Sequence, residues 1–508
     1  MLFNSYIFWL FLGGVLALYK PLGAAGRKVL LVVASYVFYG FWDWRFLGLI
    51  FASTLSDYVV ARMIESTDSQ RRRKTYLIAS LVLNLGVLGF FKYFGFFTES
   101  LSALLTSLGV SAPLSVMNIV LPVGISFYTF QTMSYTIDVY RRQTPATRNF
   151  LDFALYVSFF PNLVAGPIER STTFLKQIVS PRKRTADDWQ AGLYLVMFGL
   201  FKKVVIADNM AAIAGTVFGS DPASLTAFET LIGIYAFAFQ IYGDFAGYSS
   251  IARGVGRWLG FDLMINFRMP YLAVNPSDFW RRWHISLSTW LREYLYIPLG
   301  GNRGGEVKTY RNLALTMILG GLWHGAAWTF VAWGAYQGLI LIVYRVIERI
   351  KWPWSHPGTS GKPRRLAESK EVAPVPYGSL GIVAPSMVDM LRPLVRLAKR
   401  LLPVIVMFHL ACLGWVFFRA ESMSQAFGLL GRLGSGLEVT PVAIGFLATL
   451  VFFVLPLMVY EFWVEKQGEL DAIVKAPWPW RAVVYGYFVI MLIFFPSPTQ
   501  HEFIYFQF

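Results

Sequence analysis

One imidazole in this chain stands among glycines and apolar residues: Gly320-Gly321-Leu322-Trp323-His324-Gly325-Ala326-Ala327-Trp328. A polar ring at membrane depth is costly, so it needs a partner or a task. Histidine titrates near neutrality and can take a proton from a hydroxyl, turning it into a nucleophile. Gly321 and Gly325 form a Gly-x-x-x-Gly pair, as do Gly334 and Gly338. Such pairs ordinarily serve close helix packing. Packing explains the glycines but not the ring, so spacing leaves His324 open between a packed core imidazole and a general base. A second ring, His284, lies in Arg281-Arg282-Trp283-His284-Ile285-Ser286 and reads as an interfacial imidazole or as a partner in the same chemistry. His409, inside an apolar run, reads as structural, and His356 and His501 fall in a loop and in the tail.

Other residues have the types that bind or line a polar space. Tyr128, Gln131, Tyr135 and Asp138 fall on one helical stripe, either a polar seam that satisfies itself or a wall of an internal cavity. Trp323 beside the histidine and Asp244 in Tyr242-Gly243-Asp244 are further cavity candidates. Arg281, Arg282, Arg292 and Arg303, with Trp283, Tyr294 and Asn302 among them, offer guanidinium forks for phosphates or simple anchoring to headgroups. The chain has no Gly-x-Ser-x-Gly elbow, Walker A loop or His-Glu-x-x-His metal motif, and Gly254 to Gly260 has the wrong spacing for a dinucleotide loop. The single cysteine, Cys412, forms no intrachain disulfide and reads as core filler. No basic segment is patterned for nucleic acid.

These residues need elements to position them. Of 508 residues, 56% are hydrophobic, 17% aromatic and only 15% charged, with a mean hydropathy of +0.51. A soluble chain carries about a quarter charged residues. Apolar runs near membrane-spanning length recur from end to end, which predicts a polytopic all-α membrane protein. The net charge of +16 reads as the excess of Lys and Arg in cytoplasmic loops. Basic clusters at Arg27-Lys28 and Arg71-Arg72-Arg73-Lys74 then place the N-terminus outside. That terminus lacks a basic n-region, so Tyr6 to Tyr19 is expected to stay as a helix. Runs are expected near 76–91, 93–109, 114–130, 151–166, 190–207 and 226–245. Residues 266–311 form a basic, aromatic cytoplasmic-side segment, with Ser277 to Tyr296 an amphipathic helix capped by Ser277. The short arm from Leu313 to Leu322 predicts a hairpin or broken helix with His324 buried near the bend. Residues 351–400, rich in Pro, Gly, Lys and Arg, read as a cytoplasmic loop, and Phe503 to Phe508 as interfacial.

Ser277-Asp278-Phe279-Trp280-Arg281-Arg282-Trp283-His284-Ile285-Ser286-Leu287-Ser288, Trp290 to Arg303, Thr309-Tyr310-Arg311-Asn312 and Gly320 to Trp328 resemble the signatures of membrane-bound O-acyltransferases. Ala165-Gly166-Pro167-Ile168 and Phe503 to Phe508 fit the bacterial alginate O-acetyltransferase branch of that family. The pattern differs at Ser250, Glu293 and Gln337, none of which is a key histidine. The resemblance spans the whole chain, 1–508, as one domain. It implies a ring of roughly 10 to 13 transmembrane helices around a thin centre with funnels on both faces. It implies a bacterial inner-membrane enzyme with His324 and His284 as catalytic residues. It further implies acetyl-CoA as donor, no permanently bound cofactor or metal, and periplasmic acetyl-transfer or polysaccharide-modifying partners; a D-alanyl or other acyl donor, or another acceptor, within the same family is the alternative. A transporter without thioester chemistry is the reading from another class. It would often show inverted repeats, and no fixed-period repeat is found.

Overall fold

The computed structural model describes residues 1–110, 119–164, 166–350, 387–436, 438–499 and 501–504, with backbone alone for 387–397. Most of the 351–400 segment, the end of the aromatic tail and part of the expected 114–130 run therefore lie outside the described residues. No strand occurs among the described residues. The helices longer than one turn are α1 (Tyr6–Tyr19), α2 (Ala24–Asp43), α3 (Leu47–Glu65), α4 (Gln70–Leu88), α5 (Phe94–Ser107), α6 (Ile125–Tyr140), α7 (Phe150–Ser158), α8 (Ala186–Leu200), α9 (Asp208–Phe218) and α10 (Ala227–Leu259). They continue as α11 (Pro276–Arg282), α12 (Ile285–Leu291), α13 (Glu306–His324), α14 (Trp328–Arg349), α15 (Met387–Arg419), α16 (Met423–Arg432), α17 (Pro441–Gln467) and α18 (Trp478–Phe494). Six helical stretches among the described residues are long and apolar enough to cross a membrane, and α1 and α18 are shorter apolar helices. The chain is an all-α, multi-pass membrane protein.

The central rod is α10, 33 residues long and buried along nearly its whole length. It starts on a reciprocal capping box between Thr226 and Glu229 and ends at Gly260, whose φ of 95° suits glycine. Hydropathy ends this run near residue 245, yet the helix continues to Leu259. The polar residues at and beyond that point are paired within the protein: Asp244 to Lys203 at 2.9 Å, and Arg257 to Asp188 at 3.3 Å. Close contact with α8 rests on small residues. A Cβ on Gly247 would lie 2.8 Å from the carbonyl of Gly199, and one on Gly254 2.7 Å from that of Gly192.

α6 is buried on almost every side, and most of its polar stripe is satisfied internally. Gln131 donates to the Tyr156 carbonyl, the Tyr135 hydroxyl accepts from Thr147 N, and Asp138 accepts from the Tyr294 hydroxyl at 2.8 Å. Only the Tyr128 hydroxyl lacks a partner among them. The stripe is thus chiefly a polar seam between helices.

Three expectations need correction. Ser277 to Tyr296 is not one helix: it breaks at His284, which adopts a left-handed conformation with φ of 41° and separates α11 from α12. The cap of α11 is Asn275, accepting from Asp278 N at 2.8 Å, because Pro276 takes the first helical position. In the tail, Phe503 is fully buried against Tyr248, and the Ile504 amide donates to Asp244 at 2.6 Å.

Candidate active site

α13 and α14 form an antiparallel hairpin whose turn carries His324. The first two turns of α13 are polar, so its apolar arm is short, as the sequence suggests. Glycine permits the close approach: a Cβ on Gly321 would lie 2.2 Å from the Phe330 carbonyl, and one on Gly334 2.4 Å from that of Met317. His324 is the last residue of α13, and Gly325 and Ala327 are extended before α14 resumes. The ring is 3% exposed and lies 5.0 Å from Trp333, 5.1 Å from Trp323 and 5.3 Å from Phe418, centre to centre.

The two motif histidines meet, although 40 positions apart in sequence. Their ring centres are 6.3 Å apart and nearly perpendicular. The left-handed backbone of His284 turns its ring inward, where Nδ1 accepts from Leu287 N at 3.3 Å. Its Nε2 is buried with no partner, as are the indole N–H groups of Trp280, Trp323 and Trp333 and the carboxamide of Gln337. Buried polar groups ordinarily find partners. Of these residues, Trp323 lines the cavity that also reaches His324, so its unpartnered N–H could serve a polar reactant there.

A cavity of about 440 Å³ reaches this centre. His324, Trp323, Lys92 and Ser126 line its inner end, and Met1, Leu2, Trp42 and Glu502 its outer part. Lys92 is the residue that sequence reasoning missed. The expected break between helical runs falls on it, but the chain instead stays helical through a π-turn, Gly89–Tyr93. Such turns recur at functional sites. This one aims Lys92 Nζ at the carbonyls of Trp323 (2.7 Å) and His324 (3.0 Å), and the Tyr93 hydroxyl at that of Leu322 (2.8 Å). The exposed carbonyl end of α13 is thereby capped by a cation, as its dipole favours. The visible signal was a lone lysine within Phe90-Phe91-Lys92-Tyr93-Phe94.

The other singled-out residues divide. Arg281, Arg292 and Arg303 are exposed, and Arg292 pairs with Glu293. Arg282 is bound to carboxylates: Asp278 at 3.1 Å and, through both nitrogens, Glu465 at 2.8 and 3.0 Å. Trp283 is buried, stacked on Phe279. Tyr294 lies under the Arg170 guanidinium at 4.8 Å, and Asn302 accepts from the Tyr296 hydroxyl. Asp244 lies away from the cavity, in a buried cluster with Lys203 and Asp208. No group of three or more metal-ligating side chains occurs among the described residues.

The profile of the MBOAT, membrane-bound O-acyltransferase family matches residues 140–351, a stretch that contains both histidines. A protein of Azotobacter vinelandii named probable alginate O-acetylase is 43% identical over 441 residues, covering 86% of this chain and 78% of the relative. A Helicobacter pylori peptidoglycan O-acetyltransferase is 36% identical over 435 residues, covering 80% and 74%. A Bacillus subtilis teichoic acid D-alanyltransferase is 28% identical over 251 residues, covering 46% and 61%. The names differ in acceptor and in acyl group but share one reaction type, transfer of an acyl group. Two histidines brought together at a helix end, reached by a cavity in an all-helical membrane protein, suit that reaction, and the chain belongs to the membrane-bound O-acyltransferase family, as an acyltransferase.

Proposed function

We propose that the protein is an inner-membrane O-acetyltransferase that moves an acetyl group from cytoplasmic acetyl-CoA to an acceptor hydroxyl on the periplasmic side, for O-acetylation of an exported, alginate-like polysaccharide. The observation that carries this reading is the cavity that ends on His324 and begins beside the N-terminus. Basic residues cluster at the opposite ends of the same helices: Lys20 after α1, Arg141 and Arg142 after α6, and Arg71 to Lys74 at the start of α4. Under the positive-inside rule those ends are cytoplasmic, so the cavity opens outward to the acceptor. Periplasmic partner proteins would present that acceptor. All of 1–508 is read as one catalytic unit, with the exposed Arg281, Arg292 and Arg303 available to the donor's phosphates. Arg282, already held by Asp278 and Glu465, serves to fix α11.

His324 takes the proton of the acceptor hydroxyl as its oxygen attacks the thioester carbonyl. The tetrahedral adduct collapses, the C–S bond breaks, and the proton passes from His324 to the leaving thiolate. The products are an acetyl ester and the free thiol of CoA. His284, through its unpartnered Nε2, orients the donor or polarises its carbonyl. General-base catalysis contributes about 10²- to 10⁴-fold. Purified His324→Ala protein should therefore lose at least about 100-fold in acetyl transfer and thiol release; near wild-type turnover would sink the mechanism. Because one relative is named a D-alanyltransferase, the donor is tested by competing acetyl and D-alanyl thioesters in the same assay.

A further inference from the structure

A second cavity lies at the other end of α1. It measures about 850 Å³ and shares no lining residue with the cavity at His324. Its floor is apolar and buried, formed by Leu31, Leu155, Leu259 and Phe261. Its rim carries Lys20, Arg27, Lys28, Arg182, Lys183 and Arg184. Two of these cations are neutralised: Lys28 by Asp152 at 2.7 Å, and Arg182 by Asp188 at 2.7 Å. The other four meet no carboxylate among the described residues. Arg27 and Arg184 both lie over the ring of Tyr19, at 4.9 and 5.1 Å from its centre. Among the described residues, Arg27 donates to the carbonyls of Tyr19 and Lys20, and Arg184 to that of Trp258. Tyr19 is itself fixed by its hydroxyl to the Leu259 carbonyl at 2.9 Å. Two guanidinium groups thus sit about the ring of Tyr19, and neither meets a carboxylate among the described residues, so an anion entering the cavity would meet uncompensated positive charge.

We propose that this cavity binds the phosphodiester headgroup of an anionic glycerophospholipid, with its acyl chains along the apolar floor. Arg27 and Arg184 supply forked N–H donors to the phosphate oxygens. Lys20 and Lys183, both exposed, add charge at the outer rim. Basic pockets between membrane helices suit such headgroups. The apolar floor favours a lipid over free phosphate, which would leave that surface wet. No residue of 266–311 lines the cavity, so it is separate from the segment read as donor-binding. The proposal does not rest on the acyl-transfer reading.

The test uses the purified full chain in a zwitterionic detergent and counts bound dioctanoyl phosphatidylglycerol against dioctanoyl phosphatidylcholine by native mass spectrometry. Inorganic phosphate and acetyl-CoA are added as separate competitors. Wild-type protein should retain phosphatidylglycerol at least tenfold more tightly than phosphatidylcholine, and neither competitor should displace it at equal concentration. R27Q/R184Q should lose that preference while eluting as a single species. K20Q/K183Q removes side chains with no partner among the described residues, so it keeps the test decisive if the first variant misfolds; it should weaken the preference several-fold. Equal retention of the two lipids by wild type, displacement by phosphate or acetyl-CoA, or an unchanged preference in K20Q/K183Q would each overturn the proposal.

Discussion

Lys92 shows how much one side chain can matter at this site. Its three contacts are all neutral oxygens: two carbonyls at the end of α13 and, at 3.4 Å, the Ser126 hydroxyl. A cation at a helix C-terminus contributes about 0.3–1 kcal/mol when exposed and up to ~2 kcal/mol when partly buried. Lys92→Met is expected to fold, to melt a few degrees lower, and to lose tenfold or more in turnover as the His324 turn loosens. Lys92→Arg, which keeps a charged donor, should recover part of the rate. Thiol release from acetyl-CoA and a thermal melt check both, and unchanged turnover in Lys92→Met would reduce the contact to packing. His324 was legible in the sequence because a lone imidazole among glycines conflicts with its surroundings. Lys92 was not, because its contacts lie 231 and 232 positions away. A lysine in an apolar run reads simply as a break until the fold shows what it faces.

At the level of elements, the hairpin of α13 and α14 depends on absent side chains. Gly321→Ala puts a methyl group 2.2 Å from the Phe330 carbonyl, and backbone cannot move aside as a flexible side chain can. Overpacking of this kind costs about 1–3 kcal/mol. Gly86→Ala, where nothing lies within 4 Å, is the matched control. Thermal melts should show Gly321→Ala well below wild type and Gly86→Ala equal to it or slightly higher, since alanine favours a helix by about 1 kcal/mol over glycine. The apolar runs and the hairpin could be read from hydropathy and glycine spacing. The length of α10 could not, because Asp244 and Arg257 look like helix ends until their partners, Lys203 and Asp188, are seen. The break at His284 was hidden for a related reason. Amphipathic periodicity runs on through it, whereas the left-handed residue is held by tertiary bonds, Ile285 N to the Asn266 carbonyl and Arg268 N to the Arg282 carbonyl.

Across the whole molecule, the cavity at His324 and the basic rim at Tyr19 lie at opposite ends of one helix, so a single topological assignment orients both. Cys412 is buried, which leaves the surface open to labelling through introduced thiols. In intact spheroplasts, a membrane-impermeant maleimide should miss Arg72→Cys and Lys183→Cys and react with Trp42→Cys; the reverse pattern would invert the chain and move the His324 cavity to the cytoplasm. The buried cluster of Lys203, Asp208 and Asp244 also ties the tail, through Ile504, to the middle of α10.

The helix joining the two cavities has only 14 residues. At 1.5 Å per residue it spans about 21 Å, against a hydrocarbon core of about 30 Å. A helix this short, where it faces lipid, matches a bilayer thinner than average, and the mismatch cost rises with lipid chain length. Reconstituted in phosphatidylcholine vesicles of graded chain length, the enzyme is expected to turn over fastest in the thinner bilayers and to slow as the chains lengthen, with no change in the protein or its substrates.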